Sequence, residues 1–181
     1  MAEKMVLDKA AKLFYRTIIT KVIEPGLSGL GDDQLTQVQL LCMRFVYLHP
    51  ECSVGDIADG LMVSDAASAK LVDRLVKKQI LTRTEDPADR RVLKIKLTAT
   101  GNGLLAKASQ IEQERFEEIL TQMAPEAVVA LTEGLIAFLG AALVSAADIE
   151  AVCLKCGLDH LVECPGNLRY RQLTGKDKEQ N

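Results

Sequence analysis

Hydrophobic positions near the start of the chain repeat with helical spacing. Leu7, Ala10, Ala11, Phe14, Ile18, Val22 and Ile23 form one stripe, which Pro25 and Gly26 are expected to end. A second stripe (Val38, Leu41, Cys42, Phe45, Val46) follows Thr36, whose hydroxyl can cap a helix while Gln39 reaches back as in a capping box. His49 precedes Pro50 and so closes that helix. Ser53 and Asp56 repeat the capping arrangement ahead of a short helix carrying Ile57, Ala58 and Leu61, and a turn is expected over 60–64. Ser64 then caps a helix whose inner face is read as Ala67, Leu71, Val72, Leu75 and Val76. Its outer face is read as Ser68, Lys70, Asp73, Arg74, Lys77 and Lys78. Two short capped helices joined by a tight turn, the second with a basic and hydroxylic outer face, describe a helix-turn-helix.

Beyond it the period shortens to two. Residues 80–84 and 91–97 read as strands, the second turning Leu93, Ile95 and Leu97 inward and Lys94 and Lys96 outward. The acidic, proline-containing stretch 85–90 between them is a turn, so the strands pair as a hairpin with Arg90 and Arg91 near its tip: a wing. Thr98 caps a long helix carrying Leu104, Leu105, Ala108, Ile111, Phe116, Ile119, Leu120 and Met123. Pro125 opens the next one, which runs to about Leu143 and is apolar around much of its circumference. That excess of apolar surface points to a subunit interface shared with the opening helix. The fold class expected is mainly α with a small β-hairpin wing, a winged helix-turn-helix. Residues 1–146 would form the DNA-binding and dimerisation domain, with reading heads over 36–97 and dimerisation helices over 5–24 and 99–145. Residues 147–181 would form a Cys-rich extension ending in a polar, mobile tail.

Charge sharpens this picture because of where it sits. The chain of 181 residues carries a net charge of -3, which by itself argues against a nucleic-acid partner. Yet 64–96 holds nine basic residues against five acidic ones, so the helix-turn-helix and wing form a basic island. Neither a basic-then-apolar leader nor an uninterrupted apolar run of about 18 residues is seen, and a cytoplasmic protein with no membrane partner is expected.

The residues Leu35-Thr36-x-x-Gln39, the Ser64 helix, and Asp89-x-Arg91 followed by Leu97-Thr98-x-x-Gly101 together resemble the MarR family over about 7–143. The resemblance implies a homodimer with intertwined terminal helices, whose two winged helices bind a palindromic operator in double-stranded DNA, most often as a repressor. Major-groove geometry then places Ser64, Ala66, Ser68, Ala69 and Lys70 toward base edges or nearby phosphates, with Arg74 and Lys78 on the backbone. By similarity, Arg91 enters the minor groove while Asp89 holds it extended, with Arg90 as the competing candidate; Lys94 and Lys96 add phosphate contacts. One departure is Gln79, at a position where the family often has glycine, so modest backbone strain is expected there.

The resemblance ends near Leu143, and Cys153-x-x-Cys156-x-x-x-His160-x-x-x-Cys164 begins soon after. Thiolates and imidazole are the ligand set of structural zinc, and the order resembles a zinc knuckle with both later gaps one residue shorter. On a single helix these groups would spread over about 16 Å, so a metal site requires a break, at Gly157 or before Pro165. An iron-sulfur cluster, for which Cys164-Pro165 is suggestive, and a thiol redox switch are the alternatives. Cys42 reads as a packed small hydrophobe and Cys52 as a thiol beside a turn. With no phosphate loop, no nucleophile elbow and two histidines, the chain does not read as an enzyme. The competing reading is a metal- or redox-handling protein whose winged helix serves protein contacts.

Overall fold

The computed structural model describes residues 2–30, 35–85, 93–156 and 161–178. Helix α1 (Ala2–Thr17) passes through a π-helical turn (Ile18–Ile23) into α2 (Glu24–Ser28). The expected stop at Pro25 is therefore a continuation. Proline sits in the first turn of α2, where its missing N–H is not needed, and the π turn ahead of it absorbs the change of register.

Helix α3 (Gln37–Leu48) is the centre of the molecule. Its capping box is formed as expected, with the Thr36 N–H donating to Gln39 Oε1 at 2.9 Å and the Gln39 N–H donating to Thr36 Oγ1 at 3.3 Å. Leu40, Cys42, Met43, Phe45 and Val46 are all buried, whereas Val38 is half exposed and does not join them. A two-sided reading of this helix fails because α2, α4 (Val54–Leu61), α5 (Asp65–Lys77), α6 (Ala99–Thr121) and the wing pack around it. With Ile57, Val72, Leu75, Ile80, Leu81, Ile95 and Leu105 these residues make one core.

The wing is the antiparallel pair β1 (Leu81–Glu85) and β2 (Leu93–Leu97), in register Leu81 with Leu97 and Arg83 with Ile95. Ile95 and, partly buried, Leu97 of β2 face the core. Ile95 is fully buried, while Leu93, expected inward, is exposed because the hairpin runs off the body of the domain toward its tip. The base is anchored at three points: the Ile95 N–H donates to the Cys52 carbonyl at 2.8 Å, Lys96 pairs with Glu51 at 2.7 Å, and Arg83 pairs with Asp73 of α5 at 2.6 Å.

Helix α5 ends in a Schellman motif. The Ile80 N–H donates to the Leu75 carbonyl and the Gln79 N–H to the Val76 carbonyl, both at 2.9 Å, which puts Gln79 in the left-handed region at φ 58°. The strain expected at this non-glycine position is present. Gln79→Gly should raise stability by up to about 1 kcal/mol and Gln79→Val should lower it, as read by the urea midpoint; equal midpoints would show that the strain is relieved elsewhere.

Beyond Ala108 no residue of α6 is buried, and none of α7 (Pro125–Ala142) is. Val129, Leu135, Ile136 and Phe138 of α7 lie open, as do Leu7, Leu13, Phe14 and Tyr15 of α1 and Phe116 of α6. By length and composition alone, α7 would also suffice to cross a membrane. The chain then turns back through α8 (Ala146–Cys156) and α9 (Pro165–Thr174), so the segment after Pro165, expected to be a mobile polar tail, includes a helix. Asn167 pins it: its amide donates to the Val162 carbonyl and to Asp177, and its carbonyl accepts from the Lys178 N–H, all at 2.8 Å.

Candidate nucleic-acid interface

Helix α4 ends at Met62, whose left-handed conformation lets the Val63 N–H return to the Ala58 carbonyl at 3.0 Å and makes the turn into α5 tight. Ser64 then caps α5, its hydroxyl accepting from the Ala67 N–H at 3.3 Å. The two helices are clamped by Ser68, whose Oγ donates to the Val54 carbonyl at 2.8 Å and which is fully buried. Ser68 is thus removed from the set of DNA-facing residues. The inner stripe runs through Ser68, Val72 and Leu75, flanked by Leu71 and Val76, and differs from the expected stripe at its first position, where Ser68 replaces Ala67.

Ala67, assigned inward from the sequence, is exposed and shares a face with Lys70 and Arg74. The missed signal is the spacing 68–72–75, which fits a helical face as well as 67–71–75 does once a serine is allowed to satisfy a neighbouring carbonyl. Ser64, Ala66, Lys70, Arg74 and Lys78 all lie exposed and Ala69 half-buried, so the outer face of α5 presents small residues at its start and cations further along. Asp73 would interrupt that face, but its carboxylate is held by Arg83. Lys94 is half-buried and close enough to Asp56 to help hold that carboxyl below its usual range. The larger cause is the hydrogen bond from the Ser53 N–H. Lys96 is engaged with Glu51. Asp89, Arg90 and Arg91 at the wing tip lie outside the described residues.

The wing is welded to α5 and α6 by Leu97-Thr98-x-x-Gly101. Thr98 donates its N–H to the Ile80 carbonyl at 3.0 Å and its hydroxyl to the Gln79 carbonyl at 2.7 Å, and its oxygen accepts from the Gly101 N–H at 3.0 Å. A β-carbon on residue 101 would lie 2.3 Å from the Ile80 oxygen, so only glycine allows this approach. The motif therefore fixes where the wing stands relative to the reading helix.

The head is also tied to α6 by an ion pair between Arg44 and Glu112, both nearly buried. Neither was singled out in the sequence, since the partners are 68 residues apart.

The cysteines fall into two groups. Burial pushes the Cys42 thiol up to about 12, with Cys52 nearby adding to the effect. Burial and then Asp56 push Cys52 up to about 11. Cys42 packs as expected; Cys52, read as a thiol beside a turn, is buried as well. At neutral pH both should resist a thiol-titrating aromatic disulfide while exposed Cys156 reacts, all five reacting after denaturation. Rapid labelling of Cys42 in the folded protein would contradict its burial.

Among the tail residues, Cys153 and Cys164 are half-buried and Cys156 is exposed, while His160 lies outside the described residues. The break required for convergence exists, between α8 and α9. Among the described residues, however, no three His, Cys, Asp or Glu side chains gather tightly enough to hold a metal ion.

Comparison with known proteins agrees with this geometry. The MarR family model matches residues 35–93. The chain is 28% identical over 119 residues to the HTH-type transcriptional repressor MdtR of Bacillus subtilis, covering 66% of this chain and 68% of that one. Among solved structures, RV1404 from Mycobacterium tuberculosis superposes with a TM-score of 0.67 at 25% identity, covering 74% of this chain and 90% of that one. Streptococcus pneumoniae FabT in complex with DNA shares the fold with a TM-score of 0.61 at 17% identity, covering 75% and 94%. With a helix-turn-helix, a hairpin wing and a basic outer face on one short stretch, residues 35–93 carry the winged helix-turn-helix that the MarR family model describes, and the chain is similar to transcriptional regulators of that kind.

Proposed function

We propose that this protein is a cytoplasmic transcription repressor that binds a palindromic operator as a homodimer. The observation that carries the reading is the pairing of a basic, small-residue reading face on α5 with the open apolar faces of α1 and α7. A second copy is the occupant that suits those faces: α1, α6 and α7 each contribute apolar side chains, and exposed patches of this extent mark association surfaces. Residues 1–146 would then be the DNA-binding and dimerisation unit and 147–181 an appended extension.

In the dimer two α5 helices would enter successive major grooves about one helical turn apart. Ala66, Ala67, Ala69 and Ser64 would allow close approach to base edges, while Lys70, Arg74 and Lys78 bind phosphates. Asp89, Arg90 and Arg91 would place an arginine in the flanking minor groove, and Lys94 and Lys96 would add charge at its rim. The relative MdtR is named a repressor and FabT was solved on DNA, which supports the reading.

The test is sedimentation of the protein alone, followed by binding to duplexes it selects from a random pool. A dimer that selects an inverted repeat is the expected result. Lys70→Ala and Arg74→Ala should each weaken binding across all sequences and lower the salt slope by about 1. A monomer, a lipid-associated species, or binding with no sequence preference would overturn the proposal.

A further inference from the structure

The C-terminal extension is folded back onto the rest of the chain in two different places. Helix α8 packs against α3 and α4 of the reading head, with Ile149 fully buried. Helix α9 packs against α8 and α7, and the Arg169 guanidinium donates to the Leu143 carbonyl at 3.0 Å just after α7 ends. The end of the extension also reaches the head: Lys178 lies near enough to His49, at the close of α3, to help lower its pKa, burial being the larger cause. The extension therefore spans from the head to α7.

Two cysteines stand at the junction of its two helices. Cys153 is on α8 and Cys164 is the residue that opens α9. A β-carbon placed on Gly166 would lie 3.4 Å from the Cys153 sulfur and 3.7 Å from the Cys164 sulfur, so both sulfurs border the same small space, which the missing side chain of Gly166 leaves open. Cys156 is exposed, and it lies near enough to Cys153 to help raise its pKa, burial being the larger cause. No three-ligand metal group assembles here among the described residues, but the sulfurs of Cys153 and Cys164 both face Gly166.

We propose that Cys153 and Cys164 are a redox pair whose disulfide staples α8 to α9, and so holds the reading head at a set position relative to α7. The oxidant is a hydroperoxide. One thiolate attacks the peroxide oxygen, forming a sulfenic acid and releasing water or an alcohol; the second sulfur then forms the S–S bond and the sulfenic oxygen leaves as water. Two thiols lose two electrons and two protons, and the peroxide takes both. The consequence for DNA rests on the function proposed above; the bond and its effect on the head do not.

The experiment uses the full chain, reduced and desalted, then treated with hydrogen peroxide. Cleavage after Glu150, Lys155 and Glu163 puts the three tail cysteines on separate peptides, so the linkage is read by mass. A Cys153–Cys164 link is expected in the wild type and in Cys156→Ser, and should be absent from Cys153→Ser and Cys164→Ser. Amide exchange in α3 and α4, measured without DNA, should slow on oxidation in the first two proteins alone and return with dithiothreitol. On a duplex selected by the reduced protein, oxidation should shift affinity by about fivefold or more. A link through Cys156, a link between chains, one zinc per chain blocking these thiols, or a Cys153–Cys164 bond with unchanged exchange would each overturn the staple. Reduced protein that selects no duplex would instead overturn the function reading and leave the staple to stand or fall on linkage and exchange.

Discussion

Gly101→Ala should lower stability by about 3 kcal/mol, the upper end of what overpacking costs, and Tm by roughly 6–12 °C for a chain of this size, compared at one protein concentration. The methyl group would sit 2.3 Å from the Ile80 carbonyl oxygen and 2.8 Å from the Leu97 side chain. A flexible neighbour would move aside, but this one is backbone, and its carbonyl is held by both the N–H and the hydroxyl of Thr98. Relief therefore requires α6 to shift away from the end of α5, which also moves the wing, so DNA affinity should fall along with stability. Gly103 is the control. It lies in the same helix with no atom within 4 Å of its built β-carbon, so Gly103→Ala should be neutral or stabilise by up to about 1 kcal/mol through helix propensity. If Gly101→Ala melts with the wild type, the close contact between the wing exit and α6 is wrong.

Arg44→Met should cost about 3–5 kcal/mol, because it leaves the Glu112 carboxylate nearly buried without its partner. One oxygen of that carboxylate, Oε1, already has no hydrogen-bond partner, so the group depends on the guanidinium. The double variant Arg44→Met/Glu112→Leu removes both charges and should recover most of the loss, since a buried pair gains little over a well-packed apolar one. Urea unfolding of the wild type, both single variants and the double variant closes the cycle. A small loss in Arg44→Met would mean that water reaches Glu112. Because the pair joins α3 to α6, its value to the protein is in orientation: it fixes how the reading head sits on the long helix, which apolar contacts alone specify less sharply.

The elements of the fold were readable because each carries a local cause. Thr36, Ser53, Ser64 and Thr98 all stand at the helix starts where their side chains bond the backbone three residues on, an interaction complete within one turn. The strain at Gln79 was equally local, since a Schellman turn demands a left-handed residue whatever surrounds it. The basic face of α5 was legible because Lys70 and Arg74 recur at helical spacing. At the wing tip, Asp89, Arg90 and Arg91 lie outside the described residues, and their reading rests on the family resemblance.

Other features depend on which element lies opposite, and no local pattern contains that. Ser68 and Ala67 are neighbours of similar size, and which of them turns inward was decided by the Val54 carbonyl on α4, across the helix crossing. Val38, expected inward, is exposed, and Arg44, given no place by the pattern, is buried, because α3 is enclosed on several sides. Among the described residues of the four-ligand tail motif, Cys153 and Cys164 border Gly166, a juxtaposition their spacing does not reveal. The sequence by itself thus determined the helix-turn-helix, the wing and the basic reading face, all of which follow from backbone capping and periodic burial within about 15 residues. Tertiary structure alone decided the Arg44–Glu112 tie, the Ser68 clamp and the cysteine pair, because each joins groups whose separation along the chain says nothing of their distance in space.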